Sequence, residues 1–184
     1  MAKPELLAPA GNPEGLRAAI AAGADAVYLG ASAFSARATA GFDDSALADA
    51  VSLAHLHGRR IYIAVNTLVK EPEWPLLHDL LKLLGELRPD AVLVQDLGVL
   101  SQIKETLPNL QVHASTQMAV HNAKGAQFLL MAGISRVVAA RECSLEDIRK
   151  IKGTGIQAEV FVHGALCVSV SGQCLLSSQI GGRS

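Results

Sequence analysis

Residues 4–30 read PELLAPAGNPEGLRAAIAAGADAVYLG, and this stretch decides the fold class because it contains a full strand, helix, strand unit. Leu6, Leu7 and Ala8 form a short apolar strand ended by Pro9 and Gly11. Asn12 offers a side-chain oxygen to the first free amides of a helix, Pro13 suits the first helical position, and Leu16, Ala19 and Ile20 make one apolar stripe. Gly23 closes the helix with a residue that tolerates positive φ. Asp25 to Gly30 is the next strand, and its wording recurs at 90–95 as DAVLVQ, a hint of repeated β/α units.

The pattern continues outward from there. Residues 31–42 show no sustained period and read as a loop, after which Asp43 or Asp44 caps a helix carrying Leu47, Ala50, Val51 and Ala54. Arg60 to Asn66 is a β-branched third strand, and Pro75 opens a helix with Leu77, Leu80, Leu81, Leu84 and Leu87 on one face. Further strands are predicted over 91–95, 111–117, 136–140 and 157–162. Helices fall between them, starting near residue 98, at Asn122 and at Ser144, where Ser-Leu-Glu-Asp has the form of a capping box.

Seven buried strands alternating with six amphipathic helices imply an α/β protein with a parallel sheet covered by helices. An open doubly wound sheet and a TIM-type barrel both fit that alternation. The placement of polar residues favours the barrel: strands stay apolar until their C-terminal ends and then show Asn66, Gln95 with Asp96, Ser115 with Gln117, Arg141 with Glu142, and His163. Seven strands is one short of closure, and 184 residues is below the ~250 of a usual barrel. The expectation is a single, incomplete barrel-like domain over 1–184. Its open edge strands would invite pairing with a second copy, so a homo-oligomer is expected.

Lys and Arg total 16 against 17 Asp and Glu, which removes the broad positive field of a protein that holds nucleic acid through phosphate contacts alone. Half the residues are hydrophobic, enough for a sizeable core, yet no apolar stretch reaches the ~20 residues that span a bilayer. Without a charged leader followed by an apolar run, the sequence reads as cytoplasmic with no membrane partner. Three cysteines then suggest reduced thiols, buried or liganding, rather than a disulfide framework.

Cys167 and Cys174 lie in HGALCVSVSGQC at 163–174, and their spacing does not match the close C-x-x-C of most zinc or redox motifs. On residues alone they read as small buried side chains or as ligands. His163 beside them reads as a proton shuttle, a ligand, a substrate contact or a histidine bonded to backbone. His113, Ser115 and Gln117 alternate along one strand and share a face; inside a barrel they would form a polar site or a satisfied network below it. His55, His57, His78 and His121 are expected at the surface. Arg141 either pairs with Glu142, caps the next helix or binds a carboxylate through its guanidinium fork. No H-E-x-x-H or G-x-S-x-G motif is present.

The 163–174 segment, together with residues 4–30, FSARATAGF at 34–42, VQDLG at 94–98, HASTQ at 113–117 and ARECSLEDI at 140–148, resembles peptidase family U32. This is the collagenase-like group that also contains RNA and quinone hydroxylation proteins. The wording is most similar to the branch that hydroxylates a cytidine of large-subunit ribosomal RNA. The resemblance implies a TIM-like barrel and an enzyme that hydroxylates an RNA pyrimidine, in ribosomal RNA or at a tRNA wobble uridine. It also implies a 4Fe-4S cluster, with Cys167 and Cys174 as two of four thiolate ligands and the other two beyond Ser184. Cys143 is read as structural. Prephenate, a small dicarboxylate, is the implied hydroxyl donor, with Arg37 and Arg141 as its anion contacts. His163, Arg141, His113, Gln117, Asn66 and Gln95 would line the catalytic pocket. A collagenase-like peptidase and a non-catalytic scaffold domain are the rival readings.

Overall fold

The computed structural model describes residues 3–36, 41–164 and 167–174. Seven parallel strands lie in sequence order, β1 Leu7–Pro9, β2 Ala26–Gly30, β3 Arg60–Val65, β4 Ala91–Val94, β5 Gln111–Ala114, β6 Arg136–Val138 and β7 Gln157–Glu159. The helices between them are α1 Pro13–Ala21, α2 Asp44–Leu56, α3 Trp74–Leu87, α4 Leu97–Thr106, α5 Ala123–Met131 and α6 Leu145–Lys152. Each strand pairs with the next, without the reversal of order that defines a doubly wound sheet. The sheet curls into a half-barrel, an incomplete TIM-like barrel with β1 and β7 as its edges.

The helices start where their caps dictate. Asn12 accepts from the Gly15 amide at 2.7 Å, Asp43 from Ala46 at 2.8 Å, Asn122 from Gly125 at 2.9 Å, and Ser144 forms a reciprocal box with Asp147. Packing then fixes them on the sheet. Leu77, Leu80, Leu81 and Leu84 of α3 are buried in a core that includes Val27, Leu29, Ile61, Ile63, Val65, Val92, Val94 and Val112 from the outward face of the strands. At ~1.5–3 kcal/mol per buried leucine, this outweighs helix-propensity differences of a few tenths. Ala26, Tyr62, Ala91, Leu93 and Val138 form a second cluster on the inward face.

Three strands end more than one residue before the sequence predicts. The fifth ends at Ala114 instead of 117, because Ser115 accepts from the Gln117 amide and opens a short 3-10 turn over Thr116–Met118. The sixth ends at Val138 because the Ala140 amide turns to the Val120 carbonyl at 3.0 Å. That removes the neighbour on which the seventh strand would continue. The seventh therefore ends at Glu159, after Ala139 donates to the Glu159 carbonyl at 2.9 Å, and Val160, Phe161 and Val162 are exposed.

Candidate functional site

Within the curl, near the N-terminal ends of the strands, lies a polar network. Glu5, just before β1, pairs with Arg60 at the start of β3 and with Arg136 at the start of β6, the latter at 2.7 Å. The Tyr62 hydroxyl donates to the Glu5 carboxylate at 2.9 Å, and the Arg136 guanidinium lies 5.3 Å from the Tyr62 ring centroid. Gln157 accepts from Arg136 Nε at 3.0 Å and Nη2 at 2.9 Å, while Glu159 Oε2 is 3.6 Å from Nη1. Desolvation raises Tyr62 to about 12, helped by the Glu5 carboxylate. It also raises Glu159, against the lowering effect of Arg136.

His113 belongs to this layer rather than to the rim. Its ring meets Tyr62 edge-on at 4.9 Å, it is 1% exposed, and its Nδ1 is buried without a hydrogen-bond partner. Burial first, then the charges of Arg136 and Arg60, lower its pKa to about 3, so the ring is neutral. Because the folded value lies below the unfolded ~6.5, the unfolded chain binds a proton that the folded chain rejects between those limits. The stability it contributes is complete above about pH 6.5 and is lost as pH falls toward 3, by at most about 5 kcal/mol. Glu159, raised, acts with the opposite sign and loses its contribution as pH rises. His113→Leu is therefore expected to flatten the acid limb of a urea-midpoint profile between pH 6.5 and 3. An unchanged slope refutes the assignment.

The other site residues lie beyond the C-terminal ends of the strands, which parallel pairing places at one end of the sheet. Asn66 follows β3 and acts as a cross-tie. Its Oδ1 accepts from the Ala36 amide at 3.0 Å, and its Nδ2 donates to Ser115 Oγ at 3.2 Å. Gln95 follows β4 and is half-buried. Asp96 beside it caps α4 through the amides of Gly98 (2.7 Å) and Val99 (3.1 Å) and holds the Val69 amide at 3.2 Å. Gln117 lies half-buried in the turn after β5, and His163 is exposed after β7. Arg37 lies outside the described residues.

Arg141 and Glu142 do not pair with each other as the sequence allows, nor does Arg141 cap the next helix. Both turn to Ser171, which is 0% exposed. Ser171 Oγ accepts from the Arg141 amide at 3.1 Å and from Arg141 Nε at 3.4 Å, and donates to Glu142 Oε1 at 3.3 Å. The Ser171 amide donates to the same Glu142 oxygen at 2.9 Å. His121, expected at the surface, is half-buried; its Nε2 lies 3.3 Å from Glu142 Oε2, and its Nδ1 is 2.7 Å from the Ala119 carbonyl. Desolvation opposes ionisation of Glu142, but hydrogen bonds from backbone and Ser171, with the His121 interaction, outweigh it and hold the carboxyl below its usual range. Sequence reasoning missed Ser171 and the His121 contact, since nothing in spacing joins residues 121, 142 and 171.

The three cysteines are free thiols. Cys143 Sγ points to the carbonyls of Val120 at 3.7 Å and His121 at 3.6 Å, and burial, then the nearby Asp147 and Glu142, raise its pKa. It is a protonated structural thiol. Cys167 is exposed, with Sγ accepting from the Ser169 amide at 3.4 Å, and Cys174 is half-buried. Among the described residues no three His, Cys, Asp or Glu side chains cluster as a metal site. The exposed Cys167 and half-buried Cys174 are thiols, the donor type of an iron-sulfur site, and two of them are fewer than the four such a cluster takes.

A parallel half-barrel with polar residues gathered at its C-terminal end is the TIM-like class of α/β protein. The profile of peptidase family U32 matches residues 11–184, and the chain belongs to that family. It is 39% identical over 98% of its length to the tRNA hydroxylation protein P1 of Bacillus subtilis. It is 40% identical, again over 98%, to the 23S rRNA 5-hydroxycytidine C2501 synthase of Escherichia coli. The chain spans 43% and 27% of those two proteins. The solved U32 peptidase Mk0906 shares the fold, with a TM-score of 0.68 at 16% identity over 87% of this chain and 68% of that one. Among the described residues no helix is long and apolar enough to cross a membrane.

Proposed function

We propose that this chain is the barrel portion of a protein that hydroxylates a pyrimidine in RNA. The observation that carries the reading is the alignment of nearly the whole chain with relatives named for hydroxylating two different RNAs. In this reading Cys167 and Cys174 supply two thiolates to a 4Fe-4S cluster, which when bound provides electron-transfer chemistry beside the rim. The chain's own residues do the rest. Arg141, with its backbone and Nε committed to Ser171, presents the outer part of its guanidinium to a carboxylate such as those of prephenate. Asn66 fixes the loop after β2 against β5, and Gln95, Gln117 and His163 furnish polar groups along the same rim.

The family's peptidase name gives a second reading, and the side chains lend it less support. Ser171 Oγ is buried and bonded to Glu142 and Arg141 rather than to an imidazole, and the Cys143 thiol is held protonated. The test is nucleoside mass spectrometry of ribosomal and transfer RNA from cells lacking the gene. One hydroxylated pyrimidine should disappear and return with the complete protein. Identical nucleosides in both strains, with chelator-sensitive gelatin hydrolysis by the purified protein, would replace this reading with the peptidase one.

A further inference from the structure

The turn over residues 170–173 sits between the two cysteines of the exposed segment. The Gln173 amide donates to the Val170 carbonyl at 3.0 Å, and Gly172 has φ +78°. A Cβ at Gly172 would lie 2.6 Å from the Gln117 carbonyl oxygen, so only glycine brings this turn so close to the turn after β5. Ser171 alongside uses its full hydroxyl capacity on Arg141 and Glu142. The flanks differ sharply: Val168 and Val170 are exposed while Ser171 is fully buried.

We propose that Ser171 and Glu142 form a latch that docks the cysteine segment on the barrel rim and sets the position of Cys174 against Cys167, with Glu142 as its positioning residue. The latch joins three parts of the chain. Glu142 receives the Ser171 amide and hydroxyl through one oxygen and faces His121 through the other, while Gly172 rests on Gln117. An aliphatic residue at 142 breaks both links at once. Glutamine keeps an oxygen acceptor for the Ser171 amide and is the conservative rescue. The latch deepens the proposed function by naming what holds the ligands, and it acts on the thiols whatever they bind.

The experiment is thiol labelling of the complete, metal-free protein with an aromatic disulfide reagent, resolved by residue, alongside amide exchange over 167–174 and iron per chain after anaerobic reconstitution. Glu142→Ala should speed labelling of Cys174 at least about tenfold, remove amide protection at Ser171 and lower iron retention, with exchange in β3 and β4 unchanged. Glu142→Gln should return labelling close to the parent rate. Ser171→Ala removes the hydroxyl contacts to Arg141 and Glu142 but keeps the amide link, so it should shift labelling in the same direction by a smaller factor, still above twofold, and it carries the test if Glu142→Ala does not fold. Labelling and exchange within twofold of the parent in every folded variant would overturn the latch. Because both are read without iron or RNA, a protein that binds no iron but shows the labelling change refutes the cluster reading and leaves the latch standing.

Discussion

Arg136→Met is expected to lower the unfolding free energy by about 3–5 kcal/mol, a fall in Tm of about 10 °C for a chain of this size. The Arg136 side chain is 11% exposed, and its guanidinium serves Glu5, Glu159, Gln157 and the Tyr62 ring together. Methionine fills a similar volume but leaves Glu5 with the half-exposed Arg60 as its paired cation, beside the Tyr62 hydroxyl, and takes away the cation facing Glu159. Removing one partner of a buried pair costs more than the pair contributes, because the remaining charge stays desolvated. Adding Glu5→Gln to Arg136→Met should therefore recover part of the loss, with a coupling above about 1 kcal/mol in the double-mutant cycle. Urea unfolding of the four proteins gives the answer. A single-mutant loss below about 1 kcal/mol would mean that the network is solvated and that the curl is held by the apolar layers alone.

The network also shows where sequence reading stops. Glu5 and Arg136 are 131 residues apart, and neither stands out in a local window. Their meeting depends on the curl bringing the first strand opposite the sixth. The repeated unit itself was legible, since apolar runs, stripes and the caps Asn12, Asp43, Asn122 and Ser144 are local signals that agree with one another. Strand ends were less so: β6 stops where the Ala140 amide finds Val120, a tertiary choice. Alternation left His113 open between a polar site inside a barrel and a satisfied network below it; the ring lies beside Tyr62 below the rim, with Nδ1 unpaired. Asn66, Gln95, Gln117 and Arg141 were readable as rim residues because parallel strands share a polarity. The Ser171 contacts were not readable, because residue 171 follows the last strand and its dock is formed by residues 141 and 142.

Serine at Cys167 or Cys174 is expected to reduce iron retained by the complete, anaerobically reconstituted protein to below about a tenth of the parent. The same substitutions should remove the hydroxylated nucleoside from RNA in complemented cells. A thiolate is a soft, anionic donor at neutral pH, whereas a serine hydroxyl stays protonated and is a poor ligand to iron. Cys143→Ser supplies the contrast. Its thiol already points to the Val120 and His121 carbonyls and is held protonated by burial, so a hydroxyl there keeps the hydrogen bond and leaves iron content near the parent value. Cys167 is exposed and Cys174 half-buried, so neither substitution opens a large cavity, and loss of iron with an unchanged Tm would isolate ligation from folding. The reverse pattern, iron lost with Cys143→Ser and kept with the other two, would move the ligand set to the Val120–His121 side. It would also leave the latch at Ser171 holding a segment with no metal to present.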